Sequence, residues 1–232
     1  MPKNVVEWEF RMSNKLLRAG LAEFVGTFFL VMVVIGSGIM AEGLSADQLS
    51  ILLANTIATG VGLTALIWIF IAISGAHFNP VVSLVMYLKQ EIELKQFIAF
   101  IIFQCVGGLF GVVIAHAMFG LDIFQVSVND RGGFNIYLSE VVATFGLLIT
   151  ILGVRELHLL AVAPAVGLYI SAGYWFTSST SFANPAVTIA RGFSDSFTGI
   201  NPDFIVAFIA AQLVGAILAM LFMGFLQEDE IA

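Results

Sequence analysis

Six stretches of about twenty mostly apolar residues follow one another along the chain, near 20–40, 50–73, 96–118, 137–154, 159–176 and 204–226. Each is long enough to cross the hydrocarbon core of a bilayer as a helix. Polar breaks separate them: a loop around Glu42 to Asp47, the Gly-bearing stretch Gly120 to Gly133, Arg155-Glu156, Thr177 to Ser181, and Asn201-Pro202-Asp203. Two further apolar runs, Val81 to Tyr87 and Ala186 to Ala190, are too short to span and read as half-helices. The pattern predicts an all-α membrane protein of six transmembrane helices and two re-entrant half-helices. Residues 1–18 read as a polar, basic N-terminal segment, 19–226 as one membrane domain, and 227–232 as an acidic tail with Glu228-Asp229-Glu230.

Both half-helices start the same way. Ser74-Gly75-Ala76-His77-Phe78-Asn79-Pro80-Val81 opens the first, and Ser181-Phe182-Ala183-Asn184-Pro185-Ala186 the second. An asparagine oxygen can accept from an orphan N–H of the first turn, and proline suits the first helical position because its missing N–H costs nothing there. Flanking landmarks recur in the same order. Glu23-x-Val25-Gly26-Thr27-Phe28 matches Glu140-x-Val142-Ala143-Thr144-Phe145, and Gln104-x-Val106-Gly107-Gly108 matches Gln212-x-Val214-Gly215-Ala216. Repeat one covers about 19–119 and repeat two about 134–226. Three spans per repeat, an odd number, invert the second copy relative to the first.

Composition agrees: of 232 residues, 59% are hydrophobic and 11% charged, with mean hydropathy +1.01, too apolar for a soluble domain. The first apolar run follows Lys3, Arg11, Lys15 and Arg18 and so mimics a signal peptide, but its length and Glu23 mark it as a retained helix. With both termini cytoplasmic, Lys3, Arg11, Lys15, Arg18, Lys89, Lys95 and Arg155 lie inside, and only Arg131 and Arg191 outside. That bias orients the spans with a positive interior face, and the expected location is the cell's inner (plasma) membrane. The net charge of −7 carries little topological information. Cys105 stands alone, which excludes an intrachain disulfide, and reads as a small apolar residue.

Inverted half-helices entering from opposite faces meet near the midplane, N-terminus to N-terminus. Each end carries about half a positive elementary charge. Asn79 and Asn184 add side-chain NH₂ donors. Such a pathway suits a neutral polar solute and rejects cations and protons. Non-helical backbone at this depth survives only where protein buries it or where it lines a water-filled cavity.

The Asn79-Pro80-Val81 and Asn184-Pro185-Ala186 pair, the Ser74 to Phe78 lead-in and the tandem glutamates resemble the aquaporin and aquaglyceroporin (major intrinsic protein) family over about residues 19–226. The resemblance implies a pore in each subunit and a homotetramer. Val81 stands where the family usually has Ala. Val187 stands where it usually has the filter Arg, and with Tyr174-Trp175-Phe176 the segment resembles a bacterial subgroup associated with arsenic resistance and uptake of uncharged metalloid acids. Counting from the asparagines places further filter positions on Thr59 and Ser181. The helix-5 position falls on Tyr174 counting from Gly167 or on Ala172 counting back from Asn184, and both stay open. A filter of Thr59, Ser181 and Val187 lacks the bulky aromatic and the cation and should be wide.

Glu23 and Glu140 are acids inside apolar spans, each expected to accept from loop N–H groups and hold a half-helix. His77 belongs to the same support, its carbonyl more than its ring facing the pore. Arg191, one helical turn beyond Val187, either reaches inward to replace the missing charge or pairs with Asp195; pairing is the favoured expectation. His158 reads as solvated, and Gly107, Gly108, Gly111 and Gly215 as close-packing sites. No nucleotide loop, metal cluster or nucleophile–base pair stands out, so neither an enzyme, a cofactor nor a nucleic-acid partner is called for. The leading expectation is a passive channel for glycerol-like polyols, neutral arsenite-type acids and water. The alternatives are a strict water channel and a closed-pore structural membrane protein.

Overall fold

A computed structural model describes residues 5–227, with side chains from residue 14 onward. Lys3, the Arg11 side chain and the acidic Glu228-Asp229-Glu230 lie outside the described residues. Eight α-helices appear among the described residues, and no strand. Helix α1 (Val5–Leu44) runs unbroken through residue 18, so residues 5–18 are continuous with the first span. Then come α2 (Gln48–Ser74), the short α3 (Pro80–Leu88), α4 (Leu94–Met118), α5 (Phe134–Leu157), α6 (Val162–Phe176), the short α7 (Pro185–Arg191) and α8 (Ile205–Gln227). Six helical stretches are long and apolar enough to cross a membrane, from Asn14–Leu44 to Pro202–Gln227.

The helix ends follow from local chemistry. Asp47 caps α2, its carboxylate accepting from the Ser50 amide at 2.9 Å. Gly75, at φ 91°, stops α2 in the left-handed conformation that glycine adopts without a Cβ clash. Asn201 opens the last span by accepting from the Asp203 amide at 3.0 Å. His158 is exposed and accepts from the Leu160 amide at 3.2 Å.

Helix α1 packs on α2 and α4, and α5 on α6 and α8, while α2 and α6 join the two halves. The short helices reach across: α3 contacts α8 as well as α4, and α7 contacts α4 and α1. Close approach within each half depends on matched glycines. A Cβ at Gly107 would lie 2.4 Å from the Phe24 carbonyl oxygen, and one at Gly215 would lie 2.3 Å from that of Val141. Phe24 and Val141 each follow a landmark glutamate, so the contact is repeated. Gly215→Ala therefore forces α8 away from α5 and is expected to cost about 1–3 kcal/mol. Thermal unfolding in detergent measures this against Gly224→Ala on the same helix, where a Cβ meets nothing within 4 Å. Equal losses from the two variants would contradict the packing account.

The halves also exchange bulk. Phe78 of the first loop fills the space that Gly26 leaves, where a Cβ would come within 1.9 Å of its ring. In the second half the corresponding positions are both alanine, Ala143 and Ala183, each fully buried.

Candidate functional site

The two loops before α3 and α7 share one backbone pattern. Positive φ occurs at Gly75 (91°), Ala76 (52°) and Phe78 (48°), and again at Thr180 (62°), Ser181 (51°) and Ala183 (46°). Five of these six are not glycine, so the backbone is strained, and such strain persists only where surrounding structure holds it.

The holding groups are the two membrane-buried glutamates. Glu23, fully buried, accepts from the His77 amide at 3.0 Å, the Phe78 amide and the Ser74 hydroxyl at 2.6 Å each, and the Gln104 side-chain amide at 2.7 Å. Glu140, equally buried, accepts from the Phe182 amide at 2.9 Å, the Ala183 amide at 2.8 Å and Gln212 at 2.7 Å. Each glutamine then donates to a hydroxyl on the half-helix: Gln104 to Ser83 at 3.0 Å, Gln212 to Thr188 at 2.9 Å. Every member of the second constellation has its counterpart in the first. The His77 ring joins in through Nδ1, 3.0 Å from Ser83 Oγ.

These bonds decide which way the carbonyls face. In a trans peptide the C=O points opposite to the N–H. The N–H groups of His77 and Phe78 face Glu23, so the carbonyls of Ala76 and His77 point away from it, towards the cavity those loops line. The carbonyls of Ser181 and Phe182 do the same opposite Glu140.

Asn79 and Asn184 tie the two loops together. Each caps its own half-helix: Asn79 Oδ1 accepts from the Val81 amide at 3.1 Å, and Asn184 Oδ1 from Ala186 at 3.0 Å and Val187 at 3.3 Å. Each NH₂ donates one bond across to the other loop, Asn79 to the Ala183 carbonyl at 2.7 Å and Asn184 to the Phe78 carbonyl at 2.8 Å. An amide has two N–H donors, so one per asparagine is left over, and both residues line the cavity. Pro80, Val81, Pro185 and Ala186 are buried behind them, outside the cavity wall.

The cavity, about 310 Å³, is lined from Glu91 and Arg155 at one end, past the two asparagines, to Val187 and Arg191 at the other. At the first end Arg155 holds Glu91 in a two-pronged ion pair at 2.7 and 2.6 Å. Thr59, Ser181 and Val187 all belong to the wall. Of the two helix-5 positions left open by counting, Tyr174 lines the cavity and donates to Thr59 Oγ1 at 3.2 Å. Ala172 is exposed on the outer side of α6: two residues correspond to about 200° around a helix, so the two cannot share a face. The wall therefore holds an aromatic side chain that the expected filter lacked.

Arg191 is not paired with Asp195. The four-residue rule applies within one helix, and α7 ends at Arg191, with Gly192 as its cap. Asp195 instead accepts from the Val128 amide at 3.1 Å. Arg191 donates through Nε to the Thr198 carbonyl, and its guanidinium carbon stands 3.3 Å over the centre of the Phe182 ring. Arg131, from the loop after α4, lies 5.0 Å from the same ring. Its nitrogens donate to the carbonyls of Gly199 at 2.7 Å, Phe197 at 3.2 Å and Ser179 at 3.4 Å. Burial pushes this guanidinium down to about 10, which leaves it charged at neutral pH. Buried His116 anchors the same outer loop: its Nε2 is 3.0 Å from Ser194 Oγ, and hydroxyls continue through Ser196 to Thr198 in 3.0 Å steps. The sequence reading gives Arg131, Phe182, Thr198 and His116 no role in the site. They meet through contacts between segments far apart in the chain, and no local spacing announces them.

Comparison with known proteins places this geometry. Residues 10–158 match the family model described as major intrinsic protein. An aquaglyceroporin of Rhizobium meliloti, AqpS, is 48% identical over 213 residues, covering 92% of this chain and 91% of the relative. An aquaglyceroporin of Toxoplasma gondii is 30% identical over 204 residues, covering 84% of this chain and 73% of the relative. In fold, the chain is similar to the X-ray structure of the aquaglyceroporin from Plasmodium falciparum, with TM-score 0.67 and 23% identity over 89% of this chain and 95% of that one.

Proposed function

The chain belongs to the major intrinsic protein family, and on that basis we propose that it is a passive transmembrane channel for small uncharged solutes, glycerol and water among them. One observation carries the reading: a single cavity is walled by both Asn-Pro loops, with a spare asparagine N–H on each side and loop carbonyls opposite. A polyol or an uncharged acid such as arsenous acid carries hydroxyls that both donate and accept, and so matches a wall offering both. The filter line of Thr59, Tyr174, Ser181 and Val187 is uncharged and supports passage of solutes larger than water. The half-helix N-termini and the asparagines repel cations at the midplane. Residues 19–226 form the channel domain. The lysine and arginine bias supports an inner-membrane orientation with both termini cytoplasmic, and the working assembly is a homotetramer in the bilayer.

Swelling of reconstituted vesicles in water, glycerol and arsenous acid tests the reading. Parent vesicles that swell no faster than empty ones would leave a closed-pore membrane protein as the answer. Swelling for water alone would leave a strict water channel. Asn184→Ala removes two cap bonds and the link to Phe78. It is expected to reduce glycerol flux several-fold at equal membrane level, with about 1 kcal/mol of stability lost through the cap. Parental flux at matched protein would remove Asn184 from the pathway.

A further inference from the structure

A charged side chain stands in the outer cavity wall beside the filter line. Arg191 is 2% exposed and shares that wall with Val187, one helical turn away on α7. Among the described residues, only its Nε has a hydrogen-bond partner, the Thr198 carbonyl. Both Nη atoms lack partners among the described residues, yet neither is sealed inside the packing, so their four N–H groups face the cavity. The ion pairs of the described residues, Arg155 with Glu91 and Glu156, do not include Arg191. A buried permanent charge is costly unless something compensates it, and inside a membrane such a group marks a pathway.

The surroundings hold the guanidinium in place without neutralising it. The Phe182 ring lies flat beneath it, an attractive cation–π arrangement. Phe182 is itself fixed, because its amide is bound to Glu140. Arg131 clamps the loop that carries Thr198 and adds a second positive charge near the same ring. The contrast between the two arginines is informative. Arg131 spends its donors on three backbone carbonyls, whereas Arg191 leaves four N–H groups to whatever passes.

We propose that Arg191 is the charge-selecting residue of this pore, placing a fixed cation one turn outward of Val187, so that neutral solutes are sized and cations refused by different residues at different heights. The inference rests on the channel reading above. An arginine beside a pore can itself act as an electrostatic barrier to cations. Here valine at position 187 leaves that section uncharged, and the guanidinium stands where it can meet a solute's oxygens before the constriction.

The test uses full-length protein in vesicles. Glycerol entry is read by light scattering. Entry of methylammonium, at a mildly acidic pH where the amine is protonated, is read by an internal dye. Arg191→Met is expected to raise methylammonium entry, and the methylammonium-to-glycerol entry ratio, on the order of 10-fold, the loss of one unit charge at close range. Arg191→Lys keeps the charge and is expected to restore cation exclusion, which a purely packing role would not predict. An Arg191→Met protein that conducts glycerol and still excludes methylammonium as the parent does would overturn the proposal. A readout on the parent covers a variant that fails to assemble. A small dicarbonyl reagent should modify Arg191, slow glycerol entry, and be held off by excess glycerol, while Arg131 is spared. An unmodified Arg191 beside a modified Arg131 would also overturn the proposal. Parent vesicles that do not swell in glycerol would sink the channel reading instead, and the labelling result would still report where Arg191 points.

Discussion

Val187→Arg is expected to close the pore to glycerol and arsenous acid while water still passes. Val187 lies in the cavity wall with Thr59 and Tyr174, whose side chains are bonded to each other and cannot easily retreat. An arginine there adds a long side chain, five N–H donors and a permanent charge. It would also face Arg191 one turn away, about 6 Å along the helix, with no carboxylate on the cavity wall nearer than Glu91 at the far end. Two like charges at that spacing repel, so the new side chain extends into the lumen rather than folding back along α7. Glycerol entry should fall at least tenfold, about 1.4 kcal/mol of added barrier. Stopped-flow swelling at matched protein level measures it. If the variant conducts glycerol as fast as the parent, position 187 is not the constriction, and the roles given to Thr59 and Tyr174 fall with it.

Glu140→Gln should act in the opposite way, on assembly rather than selectivity. The carboxylate accepts from two loop amides and Gln212, and it is fully sealed from solvent. A glutamine at this position turns one oxygen into an NH₂ that meets an N–H head-on. A buried donor left unpaired costs about 1–3 kcal/mol, and each hydrogen bond to a charged group is worth about 1.5–3 kcal/mol. The expected loss is about 3 kcal/mol or more, a large share of the about 5–15 kcal/mol that holds a typical folded protein together. The monodisperse fraction after detergent extraction and its unfolding temperature should both drop. The surviving channels should keep the parental glycerol-to-water ratio. A stable variant with altered selectivity would place Glu140 in the permeation path. Glu23→Gln carries the same expectation, since four donors converge on it.

The spans and the Asn-Pro half-helices are legible because each is written locally: hydropathy over about twenty residues, a cap followed by proline, and both repeated. The glutamate landmarks are legible for a related reason, since an acid in an apolar helix is conspicuous alone. What is not legible depends on where a helix stops or on which loops meet. Pairing of Arg191 with Asp195 follows from spacing only if the helix continues, and it stops at Arg191. Tyr174 and Ala172 could not be separated by counting, because the segment is shorter than the family pattern; the helical face separates them at once. Tyr174 therefore adds an aromatic to the cavity wall that the expectation built on Thr59, Ser181 and Val187 leaves out. The Arg131 clamp joins residue 131 to 179, 197 and 199, and nothing in the local sequence of any of them carries that information.

The crossed bonds of Asn79 to Ala183 and Asn184 to Phe78 have a kinetic consequence. Many inverted-repeat membrane proteins work as alternating-access carriers, rocking one repeat against the other around a central site. In this chain the repeats are stitched together at that centre, each by the residue that also caps its own half-helix. Rocking would break both stitches in the same step. The two halves therefore move as one body, and no microsecond-to-millisecond rearrangement limits each passage. Flux should rise in proportion to the concentration difference without reaching a turnover ceiling. It should also show no acceleration by solute on the far side, the trans-stimulation that marks a carrier returning loaded.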